Sequence, residues 1–195
     1  MSKRIAIIQG HPDPAKIHYG HALADAYAKG AADAGHEVRR INVADLDFAL
    51  LRTQADWLQG TVPSGLAGAN RDLLWAEHLV IIFPLWLGSM PAMLKGFLEQ
   101  VLRVNANPDA TGSTTSDYTK PLRGTSVRII VTMGMPAFIF RVFYLSHGVR
   151  FIERNIFKFC GAGPVRTSII GMVEGPAKAR ARWLGRMTDY GRVAR

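Results

Sequence analysis

Five short strand-like runs, some continuously apolar and one, Glu37–Val43, alternating, constrain this chain more than any other feature. They are Arg4–Gln9 (Arg-Ile-Ala-Ile-Ile-Gln), Glu37–Val43, Leu79–Phe83 (Leu-Val-Ile-Ile-Phe), Ser126–Thr132 (Ser-Val-Arg-Ile-Ile-Val-Thr) and Val165–Ile170. Those that stay apolar on consecutive positions read as strands buried on both faces. Pro84 is expected to end the third, because proline offers no ladder donor. Stretches with helical spacing lie between the runs. His18–Ala34 is stopped by Gly35, Leu73–Glu77 reads as the end of a helix, and Pro91–Arg103 places Met93, Leu94, Phe97, Leu98 and Val101 on one face. Phe138–Phe159 reads as helical or interrupted-helical, and Pro176–Arg192 as a closing helix. Strands alternating with helices predict an α/β fold, a doubly wound five-stranded parallel sheet with helices on both faces. The length of 195 residues fits a single domain, 1–195. Asp45–Asn70 is a long irregular connection, which is uncommon unless it contains short helices or lines a site.

Composition narrows the function classes. With 48% hydrophobic and 20% charged residues the chain can bury a sizeable core, which excludes a disordered tail or a fibrous repeat. The lone Cys160 can form neither an intramolecular disulfide nor a cysteine-based metal site, so a reducing cytoplasm fits and no metal is expected. The longest uncharged stretch, Leu79–Leu94, is broken by Pro84, Gly88 and Pro91 and is shorter than the roughly 20 apolar residues that span a bilayer, so no membrane insertion is expected. At the start, only Ile5–Ile8 follow Lys3 and Arg4, too few for an export signal. The net charge of +9 is compatible with nucleic acid, anionic lipid or a phosphorylated small molecule.

In doubly wound sheets ligands bind outside the carboxyl ends of the strands, which directs attention to Gly10–Tyr19, Pro84–Met90 and Met133–Ala137. The first loop runs into a helix N-terminus, where free N–H groups favour an anion, and His11, Lys16 and His18 add donors. It matches neither the Gly-x-Gly-x-x-Gly dinucleotide fingerprint nor a nucleotide P-loop. An ordinary turn with exposed histidines is the alternative. The second loop, Phe83-Pro-Leu-Trp-Leu-Gly-Ser-Met-Pro91, sets an aromatic ring and backbone donors after a central strand, as a flat heteroaromatic ligand requires; core packing of Trp86 is the alternative. The third, Thr132-Met-Gly-Met-Pro136, can add donors to the same ring. Together the loops suit a phosphate with a planar ring beside it, the shape of a flavin mononucleotide portion.

Three stretches carry a resemblance: Gly10-His-Pro-Asp-Pro through His18-Tyr-Gly-His-Ala-Leu23; Ala76-Glu-His-Leu-Val-Ile-Ile-Phe-Pro-Leu-Trp-Leu-Gly-Ser-Met-Pro-Ala-Met-Leu-Lys-Gly-Phe97; and His147-Gly148 with Phe159-Cys-Gly161. By these the chain resembles flavodoxin-like NAD(P)H:quinone oxidoreductases, especially bacterial NADPH-quinone reductases of the modulator of drug activity B type. The resemblance implies a non-covalent FAD or FMN, with His11, His18, Tyr19 and Gly20 around the phosphate and Pro84, Leu85, Trp86 and Leu87 along the isoalloxazine. Thr132, Met133 and Gly134 complete the ring's rim, and Met135 stands where the family carries a second glycine. It further implies NAD(P)H as co-substrate, a quinone taking its place over the flavin in turn, a two-electron ping-pong transfer through flavin N5, and a homodimer that completes the pocket. The family's tyrosine and histidine near the substrate correspond to Tyr144 and His147, as catalytic candidates; a structural role for His147 is the alternative. An adenine half falls to Asn105–Lys120. The aromatic run through Phe138, Phe140, Phe143, Tyr144, Phe151, Phe157 and Phe159 reads in part as dimer interface and pocket lid, with plain core as the alternative. The basic residues of the C-terminal segment, Lys178, Arg180, Arg182, Arg186, Arg192 and Arg195, read as a solvated face, with the phosphates of NADPH or an anionic surface as the alternatives.

Three other classes compete. A flavodoxin-type electron carrier would be expected to be acidic. A regulatory ancillary subunit of a potassium-efflux system shares the fold and would be marked by stable binding to a membrane partner. A nucleic-acid binder would show scattered charge resolved into a motif, and none is present.

Overall fold

The computed structural model describes residues 1–15, 17–103, 106 and 120–195. Five parallel strands, β1 (Arg4–Gln9), β2 (Glu37–Asn42), β3 (His78–Pro84), β4 (Ser126–Thr132) and β5 (Val165–Ile170), form one sheet in the order β2-β1-β3-β4-β5. This is the doubly wound order that places a switch point between the first and third strands. The strand residues face two cores in alternation. Ile5, Ile7, Val80 and Ile82 pack with Leu23 and Tyr27 of α1 (Tyr19–Asp33) and Met187 of α7 (Ala177–Arg192). Ala6, Ile8, Leu79, Ile81 and Phe83 face the other way, onto Leu73 of α3 (Ala67–Trp75) and Leu94 and Phe97 of α4 (Ala92–Val101). Covering both faces is what parallel strands require, and it is why Ile5–Ile8 and Leu79–Phe83 of the central strands lack a polar side.

The connection after β2 is built from short pieces: a 3-10 turn at Val43–Asp45, α2 (Gln54–Gln59) and a second 3-10 turn at Ser64–Leu66. Thr53 and Asp56 close a capping box at the start of α2. The buried Arg103 guanidinium holds the segment by donating to the carbonyl of Asp56 at 2.5 Å and to that of Thr61. Pro84 is itself the last residue of β3, paired with Thr132, and the first free N–H beyond it, that of Leu85, donates to the Thr132 carbonyl at 2.8 Å. Proline is tolerated there because the ladder resumes one residue later. The stretch read as interrupted-helical is α5 (Ala137–Val142), α6 (His147–Phe151) and a π-helical run, Ile152–Lys158. The break is sharp: Leu145 (φ 49°) and Ser146 (φ 52°) both take the left-handed conformation, which non-glycine residues rarely adopt.

Candidate flavin site

The loops after β1, β3 and β4 meet at the carboxyl edge of the sheet because their strands are neighbours. In the first, the chain folds back on itself. The backbone N–H of Asp13 donates to His11 Nδ1 at 3.1 Å, that of Ala15 to Asp13 Oδ1 at 2.9 Å, and Asp13 Oδ2 lies 2.6 Å from His18 Nε2. These bonds stack the His11 and His18 rings with centroids 3.8 Å apart. His21, one turn into α1, stands 6.0 Å from His11 and 5.9 Å from His18. Burial, and the positive charge that His18 and His21 would carry, hold the His11 imidazole below its ordinary pKa.

Three observations mark this as a place for an anion. The first turn of α1 contains no acidic residue, and its N-cap, His18, makes no capping bond, so the helix-start N–H groups are not satisfied by a side chain. Beneath it the Gln9 amide is buried; its Oε1 accepts from the His11 N–H at 3.2 Å, while Nε2 has no partner. At Gly20 a Cβ would sit 3.6 Å from that amide, ordinary contact, so the glycine is not demanded by the protein's own atoms and leaves room above.

The second loop reaches the first: His11 meets the Trp86 ring edge-on, centroids 5.9 Å apart at 77°. Trp86 is 49% exposed, so core packing does not explain it. Reciprocal bonds between Trp86 and Ser89, at 2.9 and 3.0 Å, close a tight turn with Leu87 (φ 47°) and Gly88 (φ 80°) at its tip. Leu87 projects into solvent, an unusual position for leucine in a folded chain. An open cleft of about 500 Å³ lies between this turn and the third loop, lined by Leu85, Leu87, Gly88, Met133, Gly134, Met135, Phe140 and Tyr144. Thr132 and the Met133 side chain are buried beneath it, while Gly134 has open space around it.

The expected residues therefore divide. His11, His18 and Trp86 form one cluster, with Gly20 beside it; Leu85, Leu87, Met133, Gly134 and Tyr144 line the adjoining cleft. Tyr19 turns away, its hydroxyl donating to the Arg180 carbonyl at 2.8 Å. His147 sits exposed at the start of α6, outside the cleft lining, with its N–H on the Tyr144 carbonyl. Gly148 beside it is required by packing, since a Cβ there would overlap the Gly88 carbonyl. Lys16 and nearly all of 105–120 lie outside the described residues.

Sequence reasoning missed Gln9, Asp13 and His21, although His21 stands three residues after His18 and thus on the same helical face. It also missed a second cleft, of about 520 Å³, on the far side of Tyr19. Its walls are Phe138 and Arg141 of α5, 171–173 after β5, and Arg180, Trp183 and Arg186 of α7. The signal was the spacing of those three residues, which puts them on one face of α7. They are not merely a solvated face: Arg186 lies 4.8 Å over the Trp183 ring, and Arg180 is tied to the carbonyls of Val173 and Gly175. Elsewhere, Cys160 is buried with its thiol pushed up to about 11, which makes it a poor nucleophile. Among the described residues no set of His, Cys, Asp and Glu is placed to hold a metal.

Comparison with known proteins agrees with this fold. A Haemophilus influenzae protein named an uncharacterized NAD(P)H oxidoreductase is 21% identical over 172 residues, 86% of this chain and 83% of its own. The solved NAD(P)H:quinone oxidoreductase from Methanothermobacter marburgensis superposes with a TM-score of 0.78 at 19% identity, covering 98% of this chain and 96% of that one. An FMN-dependent NADH-azoreductase of Bacillus anthracis, solved in complex with FMN, superposes at 0.71 with 15% identity and full coverage of both chains. Residues 3–189 match the family described as having a flavodoxin-like fold, and the chain belongs to that family.

Proposed function

We propose that this oxidoreductase holds a non-covalent flavin at the carboxyl edge of its sheet and uses it to pass two electrons from NAD(P)H to a quinone. The observation that carries the reading is the junction of His11 with Trp86: an uncapped, histidine-lined helix start touching an exposed aromatic ring that opens on an apolar cleft. A phosphate would face His11, His18 and the N–H groups of α1, and an isoalloxazine would lie along Pro84–Leu87 with Thr132–Gly134 at its rim. Bound there, a flavin supplies the hydride chemistry. The chain's own groups position and shield. Gly134 and Gly88 leave backbone close to the ring, Trp86 and Leu87 exclude water, and the Tyr144 hydroxyl borders the cleft as a donor for an acceptor's oxygen. Because one cleft serves donor and acceptor in turn, the two substrates are expected to give parallel-line kinetics.

Supporting FAD over FMN is the second cleft. Tyr19 stands between it and the histidine cluster, and it combines an aromatic wall with three arginines, a fit for an adenosine diphosphate moiety. The adenine half is therefore proposed there rather than in 105–120. The exposed Phe138, Val142 and Phe143 of α5 and its flank, next to the first cleft, suit burial against a second copy of the chain. No helix among the described residues is long and apolar enough to cross a membrane. Spectral titration of the apo-protein with FMN and with FAD tests the reading: saturable binding of both, tighter for FAD, is expected, and binding of neither would refute it. Sedimentation at micromolar concentration, expected to show a dimer, tests the partner copy.

A further inference from the structure

We propose that Gly148 is a positioning residue: its contact with the Gly88 carbonyl, reached across the left-handed break at Leu145–Ser146, holds Tyr144 opposite the 86–89 turn and so sets reactivity toward the acceptor. The inference rests on the flavin reading above and extends it to residues which that reading leaves without a task. Among the described residues, three of the five non-glycine positions with positive φ, Leu87 (φ 47°), Leu145 (φ 49°) and Ser146 (φ 52°), flank this one contact. Such conformations persist only where the surroundings over-determine them, and they gather at functional sites.

Both sides of the contact are held. On one, the reciprocal Trp86 and Ser89 bonds close the turn, with Gly88 at φ 80°. On the other, the Ser146 N–H donates to the Phe140 carbonyl at 3.1 Å, the His147 N–H to that of Tyr144 at 3.1 Å and the Arg150 N–H to that of Ser146 at 2.9 Å. Those bonds tie the junction of α5 and α6 into one piece with Tyr144 inside it. Phe140, Val149 and Ile152, all buried, pin the piece to the core, and Phe140 stacks on the Tyr144 ring with centroids 6.3 Å apart. Gly148 lies within α6 and does not take a positive φ, so its backbone conformation does not call for glycine. Close approach does: a Cβ would stand 1.8 Å from the Gly88 oxygen and 2.9 Å from its carbon. Ordinary contact begins at 3.4 Å, so alanine here would part helix and turn by about 1.6 Å, the difference between 3.4 and 1.8 Å. Leu87 and Gly88 line the first cleft from one side of the contact and Tyr144 from the other, so the spacing across the cleft follows that separation. A displacement of this size takes a hydroxyl out of hydrogen-bond reach of a bound acceptor.

The test is a double-mutant cycle on the flavin-loaded full chain with Gly148→Ala and Tyr144→Phe, read as kcat/KM for a benzoquinone. Gly148→Ala alone should lower kcat/KM about tenfold, as should Tyr144→Phe alone; in the Gly148→Ala chain Tyr144→Phe should cost less than about twofold, because the hydroxyl is already displaced. A second readout needs no flavin. In the flavin-free chain labelled with fluorotyrosine, the fluorine resonance assigned to Tyr144 by its loss in Tyr144→Phe should shift in Gly148→Ala. If Gly148→Ala does not fold, the pair Leu145→Gly and Ser146→Gly decides: it adds no atom, relieves the left-handed strain and should broaden the Tyr144 resonance, and a resonance as sharp as in the unaltered chain would overturn the proposal. Equal losses on Tyr144→Phe in both backgrounds, or an unmoved resonance in Gly148→Ala, would overturn the positioning role while leaving the flavin reading intact. No flavin binding by the unaltered chain would overturn both.

Discussion

The two ends of the sheet use histidine in opposite ways. At the amino end His78 is 1% exposed, with Tyr27 Oη 2.9 Å from Nε2 and Ser126 Oγ 2.7 Å from Nδ1. Burial, then the positive charge of Lys3 and Arg128, drives its pKa down to about 3, so it is a neutral packing element. At the carboxyl end His11, His18 and His21 are partly exposed and gathered at the start of α1, with the rings of His11 and His18 stacked. A satisfied buried polar group stabilises the scaffold; partly exposed rings gathered where three loops meet are instead a candidate ligand site.

Acid should break the amino end first. His78 has a folded pKa near 3 against an ordinary 6.5, so the unfolded chain binds its proton first. The stabilisation is full above about pH 6.5 and is lost as pH falls toward 3, at up to about 1.4 kcal/mol per pH unit. Denaturant unfolding of the flavin-free protein from pH 7 to 5 should show this slope, and His78→Gln should flatten it. The next largest effect is expected for His78→Phe at neutral pH, which takes one hydrogen-bond partner from each of the Tyr27 and Ser126 hydroxyls and should cost about 1–2 kcal/mol of stability. Its counterpart at the other end, Trp86→Ala, should leave the unfolding midpoint nearly unchanged while weakening flavin binding about tenfold; unaltered affinity would remove Trp86 from the site. Smaller in binding terms, Tyr144→Phe should slow quinone turnover about tenfold with flavin affinity unchanged, and equal turnover would rule out a role for its hydroxyl. Least of all in stability, within about 0.5 kcal/mol, Phe143→Ser should shift sedimentation toward the monomer. A dimer that survives it would place the second copy elsewhere.

The same contrast explains what could be read in the chain before its structure. The central strands were legible because burial on both faces leaves runs such as Leu79–Phe83 with no polar position, whereas β2 at the edge of the sheet showed only an alternation. Pro84 closes the third strand as expected, standing as its last residue, and the Leu85 N–H adds one bond to the neighbouring strand beyond it. The break at Leu145–Ser146 gave no signal, since neither residue is of the type that favours positive φ. Nor did the π-helical run, which has no sequence period of its own. At the site, residue types in the three loops suggested a phosphate beside a planar ring, but not the direction in which each side chain points. That Tyr19 turns toward α7, or that Arg180, Trp183 and Arg186 share a cleft with Arg141, depends on how α1, α5 and α7 pack, which no local pattern records. Gln9 was hidden because it closes a strand that reads as core.

The central claim, that the carboxyl edge holds a working flavin, is tested most directly by anaerobic titration of the flavin-loaded protein with NADPH followed by a quinone. The account predicts bleaching of the flavin band by one equivalent of NADPH and its full return with one equivalent of quinone. A bound flavin that NADPH leaves oxidised, or that stays reduced in the presence of quinone, would contradict it.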